Sequence, residues 1–160
     1  MVSAETILRD SGVLEKPAPE WALGSYRVFM SRGNQLLGTY EALNWYRHQE
    51  HAHYGGRADQ PSWEAHHVFE DRELDYLGVR EKFPPRGQCL CVLIPKAAHM
   101  RINSVFEAHT RRFRDVSHIL QGYRLAHSML GDYSGSSPGT VAAELDRIVR
   151  TAFRRAGLVV

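Results

Sequence analysis

Cys89-Leu90-Cys91-Val92-Leu93-Ile94-Pro95-Lys96-Ala97-Ala98-His99-Met100-Arg101-Ile102-Asn103 carries the change from strand to helix on which the fold turns. The apolar run Cys89 to Ile94 is short and β-branched at its end, which suits a strand. Pro95 is well placed as a first helical residue, since its missing N–H is one that a helix start leaves unused. Downstream, Ala98, Ile102, Val105, Phe106 and Phe113 recur at three- and four-residue steps. That spacing is one face of a 3.6-residue period and predicts a helix from about Pro95 to Arg114. Upstream, Ser62 to Val68 reads as a second extended segment, so the centre of the chain is a β-hairpin followed by a helix.

Outward from this centre, residues 4–12 suit a short helix, and Lys16-Pro17-Ala18-Pro19 an extended linker. Tyr26 to Met30 suits a short strand ended by Ser31-Arg32-Gly33-Asn34. Thr39 can cap a helix running through His48, which Tyr54-Gly55-Gly56 breaks. A possible short helix spans Phe69 to Tyr76, and two further helices occupy roughly 115–130 and 138–156, separated by the Gly131–Gly139 loop. The expected class is α+β, a mostly helical domain around a small β-hairpin-plus-helix core. Residues 1–160 form one domain, its core at about 61–114, with helical additions at 1–55 and 115–156.

A chain of 160 residues, 43% hydrophobic and 24% charged, is long enough for one domain with a real core. Its net charge of +2 is too small to argue nucleic-acid binding. Lys16, Lys82 and Lys96 are the only lysines. The arginines cluster at Arg111, Arg112 and Arg114 and again at Arg147, Arg150, Arg154 and Arg155, which reads first as solvated helix faces. Cys89 and Cys91, two apart on a strand, point to opposite faces and are not expected to pair. No run approaches the ~20 apolar residues that span a membrane. The opening MVSAETILRDSG lacks the regions of a Sec-type signal peptide.

Several side chains are candidates for chemistry. His99 and Asn103 lie about 40° apart around their helix, beside the apolar stripe. His109 falls inside the stripe and is expected to be a core residue with a structural hydrogen bond. His66 and His67 point to opposite faces if their strand is regular, and serve one site together only if the chain turns there. Glu64, Glu70, Asp71 and Glu73 read as exposed charges, with the option that one carboxylate joins a metal shell or orients His67. His48, His51 and His53 sit on a fraying helix end and read as surface. Trp45, Tyr46 and Trp63 are expected in the core.

Ala65-His66-His67, the strand Leu90–Ile94, the turn Pro95-Lys96 and the helical pair His99 and Asn103 together resemble the HNH/endonuclease VII superfamily of ββα-metal nucleases. The resemblance covers about residues 61–110. It is nearest to the colicin-type DNases and to the AHH and WHH nuclease domains of bacterial polymorphic toxins. It implies His66, His99 and Asn103 as ligands of one divalent cation (Mg²⁺, Mn²⁺ or Zn²⁺) and His67 as the general base that activates water. Arg101 or Arg72 would clamp the phosphate. The family's middle asparagine has no evident match, so Gln88 or Arg86 would brace the loop. The 31 residues between His67 and His99 exceed the spacing of compact members.

The function this implies is hydrolysis of DNA phosphodiester bonds with little sequence preference. The resemblance further implies a bacterial toxin or effector domain, secreted, delivered to a target cell's cytoplasm and neutralised by a cognate immunity protein. The residue types suit that chemistry: a cation neutralises the phosphate and the leaving oxygen, and an imidazole with a pKa of ~6.5 accepts a proton from water. The alternatives are an RNA-cleaving toxin nuclease, or a non-catalytic nucleic-acid-binding module with a structural metal. Three protein ligands with an open position favour catalysis over the last.

Overall fold

The computed structural model describes residues 1–48, 63–110, 115–130 and 139–160. The elements in chain order are α1 (Ala4–Ser11), β1 (Glu20–Leu23), β2 (Tyr26–Met30), β3 (Leu36–Thr39), α2 (Tyr40–Arg47), β4 (Trp63–His67), α3 (Asp71–Tyr76), β5 (Leu90–Pro95), α4 (Lys96–Thr110), α5 (Val116–Ser128) and α6 (Thr140–Arg155). The class is α+β, as expected. The β4–β5–α4 unit is present, with β4 and β5 antiparallel.

The hairpin belongs to a larger sheet than the sequence suggested. Five antiparallel strands run in the order β1-β2-β3-β5-β4; β2 is the expected strand Tyr26–Met30, and β1 and β3 beside it were not expected in a region read as a helical addition. β1 and β2 join through Gly24-Ser25, and Gly24 takes a φ of 59° that a tight hairpin turn requires. β1 and β3 have four residues each, too few to display a period. Leu36, Leu37 and Gly38 are all buried, so β3 shows no alternation at all. Pro95 is the last residue of β5, opposite Trp63, rather than the first of α4. Lacking an N–H, it fits the end of a ladder as well as the start of a helix.

The two faces of the sheet are covered differently. Leu37, Leu90, Val92 and Ile94 face the larger core, built with Ile102 and Phe106 of α4, Ile119 and Tyr123 of α5, and Ile148 and Phe153 of α6. Val28, Leu36, Cys91 and Leu93 face a smaller core closed by Leu43 and Tyr46 of α2 together with Trp63 and Ala65. Burying each such side chain stabilises the fold by about 1.5–3 kcal/mol. Cys89 and Cys91 are unpaired, as expected, and both are buried. Among the described residues, no helix is long and apolar enough to cross a membrane.

Within the second arginine cluster, Arg150 pairs with Asp146 at 3.0 Å and Arg155 with Asp10, as on a solvated helix face. Arg111, Arg112, Arg114, His51, His53, Tyr54-Gly55-Gly56 and most of the Gly131–Gly139 loop lie outside the described residues.

Candidate functional site

β4 is the outermost strand of the sheet, and it stays regular through its last pairs, His66 with Val92 and His67 with Cys91. The chain does not turn between the two histidines. Their side chains therefore go to opposite faces, because successive residues of a strand alternate. His66 enters the large core beneath α4 and α5, whereas His67 faces the side that α2 covers.

A cleft of about 310 Å³ runs along the β4 edge. Tyr40, Asn44 and Arg47 of α2 form one wall; Glu64, Ala65 and His67 of β4 form the floor; Glu70, Arg86 and His99 close it. The α2 wall follows from local sequence. Thr39 ends β3 and caps α2, its Oγ1 accepting from the Ala42 N–H at 3.1 Å, a contact worth about 1 kcal/mol. Positions 40, 44 and 47 then fall on one helix face.

In this cleft His67 is held on two sides. Its Nε2 lies 3.1 Å from the backbone oxygen of Arg86. A carbonyl only accepts, so the proton sits on Nε2 and Nδ1 carries the lone pair. The ring stacks on Tyr40, with centroids 5.3 Å apart and planes at 13°. Burial pushes its pKa below the ordinary histidine value, and the nearby Arg86 charge adds to this against the raising effect of the carbonyl bond. Of the two residues named as possible loop braces, Arg86 makes this contact, through its main chain.

His99 reaches the same cleft from the first turn of α4. Its Nδ1–H donates to Glu64 Oε2 at 2.5 Å. Glu64 thus orients His99 and not His67, and His99 Nε2 is left for other partners.

Of the ligand set expected from the sequence, the structure brings His66 and His99 together and turns Asn103 to another cavity. His66 is 1% exposed, and its ring meets that of His99 edge-on at 5.1 Å. Its Nε2, however, is turned to His127 Nε2 at 3.2 Å. Burial holds both rings neutral, pushing His66 well below the usual value and His127 down to about 3. Asn103 is exposed and lines a second cavity, of about 260 Å³, with Glu70, Arg72, Glu73, Phe106 and Glu107. It shares a helix face with His99 but lies a full turn along, about 6 Å away. Arg72 lines that second cavity, not the cleft. Arg101 is exposed and stands about 200° around α4 from His99. Among the described residues no group of three or more His, Cys, Asp or Glu side chains is arranged to hold a metal ion. Of the residues named from the sequence, His66 and His99 thus lie side by side, while Asn103 opens to the second cavity.

Elsewhere, His109 is half-buried rather than fully in the core, and its Nε2–H donates to the His118 carbonyl at 3.0 Å, the structural bond expected of it. Glu73, read as an exposed charge, is 2% exposed. Tyr46 and Trp63 are core residues, as expected. Sequence reasoning missed His127, Tyr40, Asn44 and Arg47. The one available signal was the 40, 44, 47 spacing behind the Thr39 cap; nothing near His127 marks it. Neither a family model, nor a curated protein, nor a solved structure matches this chain.

Proposed function

We propose that this chain is an endonuclease that hydrolyses phosphodiester bonds of DNA in the β4-edge cleft. The observation that carries the reading is the state of His67. Its proton is pinned on Nε2 by the Arg86 carbonyl, and burial keeps the ring neutral. Its Nδ1 lone pair is therefore free to take a proton from water at neutral pH, in a cavity that also holds His99 and two arginines. Base catalysis of this kind contributes about 10²–10⁴-fold. As His67 takes the proton, the water oxygen attacks phosphorus, the P–O bond to the leaving sugar oxygen breaks, that oxygen takes up a proton from solvent, and the arginines offset the negative charge that builds on the phosphate.

A divalent cation (Mg²⁺, Mn²⁺ or Zn²⁺) belongs to this reading through the resemblance to ββα-metal nucleases, as do the roles of secreted effector and of target for an immunity protein. Incubation of plasmid DNA with the protein in Mg²⁺, Mn²⁺, Zn²⁺ or EDTA tests the activity. Nicked and linear products are expected, and His67→Ala should lose at least about 100-fold in rate. No cleavage under any condition, or an equally active His67→Ala, would sink the proposal.

A further inference from the structure

Arg47 is in an unusual electrostatic position. It ends α2 with its side chain half-buried at the cleft wall. Nη1 donates to the Trp63 carbonyl at 2.6 Å, which fixes the guanidinium plane. Nε is buried and has no hydrogen-bond partner. Among the described residues, no carboxylate pairs with it. The other cation of the cleft differs: Arg86 lies 3.7 Å from Glu70 and 3.9 Å from Asp71. The remaining carboxylate facing the cavity, Glu64, is taken by His99. A charged group withdrawn from water with an open N–H costs free energy until an anion answers it.

We propose that Arg47 forms an anion site in the cleft, and that its ligand is a backbone phosphate of the nucleic acid. The anion site stands on the surroundings of Arg47 alone, while its assignment to a nucleic-acid phosphate rests on the nuclease reading above. The guanidinium suits a phosphate because it is planar, permanently charged and pre-set by the Trp63 bond, so its remaining N–H groups can donate in parallel to two phosphate oxygens. Asn44, one turn earlier on the same face, offers an amide to the same ligand. Tyr40, another turn back, is committed to His67. The clamp is thereby assigned to the helix preceding the ββα unit, and neither Arg101 nor Arg72 is needed for it.

The test uses the full chain labelled with ¹⁵N. Its arginine Nε–H resonances are followed as inorganic phosphate, thymidylyl-thymidine or thymidine is added. Saturable movement of the Arg47 signal is expected with the two phosphate-bearing probes and not with thymidine. Arg47→Gln should weaken phosphate binding by about tenfold or more and raise KM for DNA, with kcat falling as well because Arg47 also offsets the charge that builds on the phosphate. Because Arg47→Gln also loses the Trp63 bond, Asn44→Asp is the second variant. It keeps that bond, places a carboxylate beside the guanidinium, and should weaken phosphate binding by about fivefold or more. An unmoved Arg47 resonance, or wild-type phosphate affinity in Asn44→Asp, overturns the anion site. Cleavage of DNA with KM unchanged in both variants also overturns it and leaves the nuclease reading intact. Phosphate bound at Arg47 with no nucleic acid cleaved does the reverse.

Discussion

His66 of β4 and His127 of α5 meet Nε2 to Nε2 at 3.2 Å inside the larger core, and neither Nδ1 has a hydrogen-bond partner. Both rings are neutral, so one Nε2–H donates and the other Nε2 accepts. The same separation is close to the ~3.3 Å between two nitrogens bound at 2.0–2.1 Å to one tetrahedral ion. Neutral imidazole is also the ligating form. Any cation that enters through His66 therefore meets His127 before Asn103. Calorimetric Zn²⁺ titration should find the affinity about tenfold or more weaker in His127→Gln, at the cost of one ligand, and unchanged in Asn103→Ala. The opposite ranking would favour the ligand set read from the sequence.

The lowered pKa of His67 has a kinetic consequence. A general base acts when deprotonated, so its pKa sets the acid limb of kcat/KM against pH. Burial moves that limb below the ~6.5 of a free imidazole. Activity should therefore persist as pH falls through 6.5 and drop only at more acid values. Tyr40→Ala exposes the ring to water and should move the limb back up, whereas Tyr40→Phe keeps the stacked face and should not. A limb in Tyr40→Ala coincident with wild type would detach the stack from the tuning.

Glu73 supplies an opposite pH dependence, in stability. It is 2% exposed, and burial lifts its carboxyl from the ordinary value of 4.5 to about 7. The folded state thus binds the proton more tightly than the unfolded state. Stability from this group is full below about pH 4.5 and is lost as pH rises toward 7. The loss amounts to about 3 kcal/mol at 1.36 kcal/mol per pKa unit. Glu73→Gln cannot ionise and should remove that fall. Urea unfolding at pH 5 and pH 8 measures it, and an equal decline in both proteins would place the penalty elsewhere.

How far the sequence reached can be judged from these residues. The strand Leu90–Ile94, the turn at Pro95-Lys96 and the amphipathic α4 were legible because each is set by local pattern: an apolar run, a proline, a 3.6-residue period. The opposed directions of His66 and His67 were legible too, from strand alternation alone. Helix phase brought Asn103 onto the His99 face but did not show that the two side chains line different cavities. His127 and Arg47 were out of reach for another reason. Each enters through tertiary packing, His127 from α5 and Arg47 from a helix before β4, and no spacing rule joins them to the strand. Glu73 looked exposed since a short acidic segment carries no sign of which carboxylate turns inward.

Gly122 and His109 fix how closely α4 and α5 approach. A Cβ at Gly122 would overlap His109 Cδ2 and come within 3.1 Å of Cγ. The His109 ring cannot easily withdraw, because its Nε2–H donates to the His118 carbonyl and its face stacks on the His118 ring at 4.2 Å. Two effects then oppose each other in Gly122→Ala. Alanine favours the helix by about 1 kcal/mol, whereas forcing atoms into a filled contact costs about 1–3 kcal/mol. The clash should win, for a net loss of about 1 kcal/mol. In a His109→Ala background the obstruction is gone and the same substitution should stabilise by up to about 1 kcal/mol. Urea denaturation of the two single variants and the double variant reads this reversal of sign directly. A Gly122→Ala effect of the same sign in both backgrounds would mean that the His109 ring does not set the helix spacing.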